Sequence, residues 1–182
     1  MKRIAVLAVL AISALIVLPA GIASAHPLGN FTVNHFDGLH FFADHVEDFA
    51  VIDTAEIPTL QAKGSVDTDH SGVADERERL AYAQKRCTSL ATGLHLSVND
   101  VSATFAVSSA TFDYKAGAVN LQVSRLECRL TAAIAVANAT GAAFRDDFDS
   151  SGVGWHEITA VASGVALVDS PVPAVSGSNM LL

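Results

Sequence analysis

The strongest chemical pattern in this chain runs from Asp67 to Glu78, D-T-D-H-S-G-V-A-D-E-R-E. A calcium loop of the EF-hand type takes oxygen ligands at positions 1, 3, 5, 7, 9 and 12 and needs glycine at position 6 for a sharp turn. Asp67, Asp69, Ser71, Val73, Asp75 and Glu78 fall on the ligand positions, with Val73 offering only its carbonyl, and Gly72 falls on the turn. A hard cation wants six to eight such oxygens, and the last glutamate can give two. The loop occurs once. Asp147 to Gly152 imitates its first half, but the ninth and twelfth positions would be Trp155 and Ile158, so that stretch reads as a turn. A single loop with no partner suits a structural Ca2+ of modest affinity, as in extracellular modules, better than a sensor.

The second candidate chemistry lies in 7 histidines. No H-x-H or H-x-x-x-H spacing marks a site. His35 and His40 would face opposite sides of one continuous strand, and a turn at Asp37-Gly38 would be needed to bring them together. Imidazole ligands would suit Ni2+ or Co2+. Catalytic patterns such as G-x-S-x-G, H-E-x-x-H or C-x-x-C are missing from the sequence, so an enzyme is not expected.

These residues sit in a chain dressed for export. Met1-Lys2-Arg3 is a short basic segment, Ile4 to Val17 is apolar, and Ala23-Ser24-Ala25 is a small-residue cleavage site. That layout predicts a signal peptide over residues 1–25. Cleavage would make His26 the first residue, where amine and imidazole together can chelate a transition metal such as copper or nickel. The formal charge of −8 becomes more negative once Lys2 and Arg3 are lost. Nucleic acid is thereby excluded as a partner, and cations are favoured. Cys87 and Cys128 are the 2 cysteines, and in an oxidising compartment they are expected to pair. Such a bridge closes a loop of roughly 40 residues and is worth about 4 kcal/mol in the chain-entropy model.

The elements that must hold these groups are mostly strands. Alternation from Phe31 to Asp53, with turn chemistry at Asp37-Gly38 and Ala43-Asp44, predicts one or two hairpins. Pro58 ends that run, and Thr59 to Lys63 leaves room for one or two helical turns. After the calcium-like loop the period changes: Leu80, Ala83, Cys87, Leu90 and Leu94 form one helical stripe, which Gly93 closes. Leu94 to Val107 predicts a hairpin about Asn99-Asp100, and Phe112 to Ile134 a further pair around Lys115-Ala116-Gly117. A change of parity at Ser124-Arg125 predicts a bulge or a break. Val161, Val165 and Leu167 suggest a last weak strand. The expected fold is mainly β, an antiparallel β-sandwich or open barrel with one helix following the EF-hand-like loop. It would occupy residues 26–170, with a disordered tail at 171–182.

The stretch His26-Pro27-Leu28-Gly29-Asn30-Phe31-Thr32-Val33-Asn34 resembles the start of the exported N-terminal domain of bacterial nickel/cobalt transporter proteins, in the high-affinity nickel permease family. The likeness continues in order through Asp53 to Thr59, Asp67 to Glu78, Gly93 to Val98, Leu126 to Leu130 and Gly154 to Ile158. It implies an extracytoplasmic domain that precedes a polytopic transporter, and hence a separate membrane transporter subunit as partner. The family's histidine- and aspartate-bearing membrane helices have no counterpart before Leu182, so the expectation is either a truncated or split gene product or an exported domain that has become independent. The expected role is a non-catalytic accessory domain with a structural calcium ion. A free-standing calcium-stabilised interaction module, and a copper protein using His26, are the alternatives.

Overall fold

The structure, a computed structural model, describes residues 29–182. The expected signal segment and His26 lie outside the described residues. Among the described residues the fold is mainly β, with two sheets and two α-helices. Strands β1 (Val33–Phe41) and β2 (His45–Thr54) form a long antiparallel hairpin. Helix α1 (Glu56–Val66) follows, then the acidic loop and helix α2 (Glu76–Gly93). Beyond α2 come β3 (Leu94–Val98), β4 (Val101–Ala103), β5 (Ala106–Ala116), β6 (Gln122–Ala133), β7 (Ala142–Asp146) and β8 (His156–Ala162). The 5-stranded sheet has the order β5-β6-β2-β1-β8, and the 3-stranded sheet has the order β4-β3-β7.

The core follows from strand periodicity. On one face of the large sheet Leu39, Phe41, Val46, Ala50, Leu126 and Leu130 are buried, because alternate residues of a strand share a face. They join one apolar cluster with Leu94, Leu96 and Val98 of β3 and with Phe105 and Phe148. Helix α2 covers the β5–β6 end through Ala83, Cys87 and Leu90, all fully buried. Cys87 bonds Cys128 of β6 across a separation of 41 residues, so the helix is stapled to the sheet it covers. A disulfide of this kind persists in oxidising compartments. Among the described residues, no helix is long and apolar enough to cross a membrane.

Several local expectations are overturned. Asp37-Gly38 is not a turn: β1 passes straight through it in register with Ala50 and Phe49, and the chain reverses between Phe41 and His45. Helix α1 has 11 residues rather than a turn or two, since Pro58 sits in its first turn, where a missing N–H costs nothing. Leu80 drops off the buried stripe and is 58% exposed. No break occurs at Ser124-Arg125; β6 is continuous, and the bulge lies in β5 between Val107 and Ser109. The expected hairpin at Asn99-Asp100 is present, with both residues at positive φ (48° and 63°), the backbone of a two-residue turn that matches strand twist.

The last strand also differs. It begins at His156, and it runs parallel to β1, pairing His35 with His156 and Phe41 with Ala162. Val165 and Leu167 lie outside any strand. Residues 171–182 carry no helix or strand, yet they are tied down rather than disordered. Ala160 N–H donates to Pro173 O at 3.0 Å. Glu157 accepts from Gly177 N–H and from the Ser176 and Ser178 hydroxyls, and Arg125 donates to Met180 O at 2.9 Å. The outer edge of β8 is thereby covered, which removes an open strand edge.

Replacing Cys87 and Cys128 together by alanine is expected to lower the unfolding free energy by about 2–5 kcal/mol. Urea denaturation should show the midpoint falling and the slope steepening, since the uncrosslinked denatured chain exposes more surface, with reductant lowering the wild type toward the same midpoint.

Candidate metal centres

The acidic loop is built by its own hydrogen bonds. Asp75 is the N-cap of α2 and accepts from Glu78 N–H at 2.8 Å, while Glu78 reaches back to Asp75 N–H at 3.0 Å. This reciprocal pair is a capping box, which satisfies two of the donors that a helix start leaves open. The other Glu78 oxygen accepts from Thr68 N–H (2.7 Å), the Thr68 hydroxyl (2.8 Å) and Asp69 N–H (3.1 Å). Asp67 accepts from Ser71 N–H and from Gly72 N–H at 2.8 Å. Gly72 has φ +91°, a backbone that other residues rarely adopt and that lets the loop close on Asp67.

Of the six expected calcium ligands, Asp67, Asp69 and Glu78 converge, with one carboxylate oxygen from each within 4.8 Å of the others. Asp75 is engaged as the helix cap, and the Ser71 hydroxyl donates to Val73 O at 3.1 Å. An all-oxygen set of this charge fits a hard cation such as calcium. The Asp75 N–H, then the Thr68 hydroxyl, hold the Glu78 carboxyl at a pKa of about 2 against 4.5.

The histidines are distributed differently from the expectation. His40 faces away from His35 on the continuous strand and bonds Ser163 Oγ at 2.7 Å; the two do not form a common site. His35 is 1% exposed and lies on the core face of β1. Its Nδ1 stands 3.0 Å from Asp146 Oδ2 at the end of β7, and its ring stacks on His156 at 4.3 Å between centroids. The other Asp146 oxygen accepts from Phe148 N–H at 2.7 Å. One donor atom each from His35, Asp146 and His156 lies within 4.8 Å of the others. Burial, and then the neighbouring His35, push the His156 pKa down and favour its neutral ring.

Gly154 makes the pairing of β8 with β1 possible. A Cβ there would stand 1.7 Å from Val33 O, an overlap no side chain survives. The close backbones exchange Val33 N–H to Val153 O (3.0 Å) and His35 N–H to Trp155 O (2.7 Å), which sets His156 beside His35.

Behind this group lie two more acids. Asp37 and Asp48 are 3% and 1% exposed, on the same core face, one residue pair apart across β1 and β2. Neither oxygen of Asp48 has a donor in good hydrogen-bond geometry, although the Asp37 carboxyl and the Gly38 N–H stand close by and partly offset its burial, and a carboxyl–carboxyl pair requires that one keep its proton. Burial, then the charge of Asp146, raise the Asp48 pKa to about 8, and burial followed by Asp48 raises that of Asp37 well above its usual value.

Sequence reasoning counted His156 only as one of several possible further ligands, and it missed Asp146 and this acidic pair. Two signals were present in the text: Asp37 shares the parity of Leu39 and Phe41, and His156 that of Ile158 and Ala160. Compared with known proteins, the chain matches no family model, no curated protein and no solved structure.

Two pH responses follow, both for protein kept in chelator. The Glu78 pKa is depressed on folding, so its stabilising effect is complete above about pH 5 and fades toward pH 2. Thermal melts should show Glu78→Gln less stable than wild type at pH 7, with the gap closing as the pH falls. Asp48 behaves in the opposite sense. Its raised pKa costs stability increasingly from about pH 4 to pH 8, so the advantage of Asp48→Asn over wild type should grow between pH 4.5 and pH 8. A constant difference across that range would contradict the assignment.

Proposed function

We propose that this chain is a non-enzymatic extracytoplasmic domain that serves a nickel/cobalt transport system, with calcium in the Asp67–Glu78 loop as a structural fastening. The reading is supported by where the family-like stretches fall. Phe31 to Asn34 leads into β1, and Asp53 to Thr59 makes the corner from β2 into α1. Asp67 to Glu78 starts α2, Gly93 to Val98 is β3 with the residue before it, and Leu126 to Leu130 is the β6 segment holding Cys128. Gly154 to Ile158 opens β8. These segments, far apart in sequence, lie in both sheets and at the start of the helix that covers the larger one. The observation that carries the proposal is this: the family-like pieces are the ones that fasten the fold together, through the disulfide, the helix cap and the close approach at Gly154.

Calcium fits the fastening role because the loop it would fill connects α1 to α2, and α2 is already pinned to β6 by Cys87. The transporter would be a separate membrane protein, and the metal its cargo.

Exposed Phe31, Val153 and Trp155, where β1 and β8 begin, favour a second reading, a free-standing calcium-stabilised interaction module. Deleting the gene in the producing cell and measuring nickel and cobalt tolerance, together with uptake of radiolabelled nickel, separates the two. A several-fold change in metal tolerance or content, restored by supplying the chain, is the expected result. Unchanged tolerance and uptake would remove the transport reading and leave the interaction module.

A further inference from the structure

We propose that His35, Asp146 and His156 bind one divalent transition-metal ion between the two sheets. The three residues come from β1, β7 and β8, so the site exists only in the folded protein. The 3.0 Å between His35 Nδ1 and Asp146 Oδ2 is close to the separation of about 3.3 Å between neighbouring ligands of a four-coordinate ion with bonds of about 2.0–2.1 Å. His156 brings its donor within 4.8 Å of both.

Hydrogen bonds hold Asp146 in place, from His35 Nδ1 on one oxygen and Phe148 N–H on the other, and leave His156 as the third donor without a hydrogen-bond role in the group. His35 is fully enclosed, its Nδ1 faces Asp146 and is the atom that would meet the ion, while its Nε2 has no partner and would carry the ring proton with the ion bound. Asp146 has a side chain 3% exposed, and Asp37 and Asp48 are enclosed nearby. Among the described residues no lysine or arginine forms an ion pair with any of these three acids. A buried carboxylate needs a cation or a proton beside it. A metal ion held by His35 and Asp146 would supply positive charge at Asp146, in place of the proton that those two share.

The donor set selects the class of ion. Two imidazoles and one carboxylate, with no thiolate, suit borderline divalent ions such as zinc, nickel, cobalt and copper, and disfavour calcium and magnesium. His156 is exposed while His35 is buried. The rim histidine thus gives the ion a way in, and the open side leaves a position for water or for exchange with a carrier. The site stands on its own geometry, so it can fail or hold independently of the transport reading.

The test is cobalt titration of the full chain with calcium in excess, so that the Asp67–Glu78 loop is not the acceptor. Visible d–d absorption and bound-metal analysis are the readouts. A single cobalt per chain with nitrogen-ligand bands is expected. His156→Ala, a change at an exposed side chain that leaves the core intact, should weaken binding by more than the roughly 10–100-fold that accompanies loss of an outer hydrogen-bond partner. His35→Gln should do the same, while His26→Ala and His40→Ala should leave binding unchanged. No cobalt uptake, uptake indifferent to His156→Ala, or uptake lost on His26→Ala alone would each overturn the assignment.

Discussion

The parallel contact between β1 and β8 is the constraint on which the rest of the structure depends. A side chain at position 154 would overlap the Val33 carbonyl, so glycine there is a condition for the two strands to meet. Once they do, the register puts His156 beside His35 and Ala160 beside Leu39. The sheet is extended to a fifth strand, and Pro173 finds Ala160 N–H on the outer edge. The site, the closure of the core and the fastening of the C-terminal segment are consequences of one backbone approach.

The interior is not a plain hydrophobic core. Next to Leu39 and Ala50, which an apolar sheet face requires, it encloses Asp37, Asp48 and His35. Buried acids of this kind reduce stability unless something compensates them. The disulfide and the capped helix act in the opposite direction at the far end of the sheet, where α2 lies against β5 and β6 and Tyr82 meets Phe112 edge-on at 4.8 Å. The fold thus has one half held by covalent and apolar contacts and another that encloses a histidine nitrogen and a carboxyl without well-placed hydrogen-bond partners. Unsatisfied groups in a protein interior are rare, and they concentrate where a ligand or ion belongs.

The acidic loop shows how one set of residues can serve two ends. Asp75 and Glu78 cap α2 by a pattern any helix start can use, while Asp67, Asp69 and Glu78 keep oxygens close enough to share a cation. The backbone N–H groups of Thr68, Asp69 and Asp75 point at Glu78, so the loop is held in shape by its own hydrogen bonds.

Read alone, the sequence determined what depends on neighbours along the chain. The alternation of β2 and β3, the turn at Asn99-Asp100, the start of α2 after Asp75 and the helix end at Gly93 are all local, and so they were legible. The disulfide was legible too, because two cysteines leave one pairing. What the sequence could not set was any feature decided by a distant strand. Whether Asp37-Gly38 turns or continues depends on β2 and β8 pairing on either side of it. Leu80 fits the helical stripe by period yet is left in water, because Arg79 beside Asp113 and Tyr82 against Phe112 take the β5-facing positions of that turn. His35, Asp146 and His156 lie as much as 121 positions apart in number, as the bond between Asn34 and Trp155 beside them does. Only the packing of two sheets brings those donors together, since convergence of side chains is a property of tertiary register and not of local spacing.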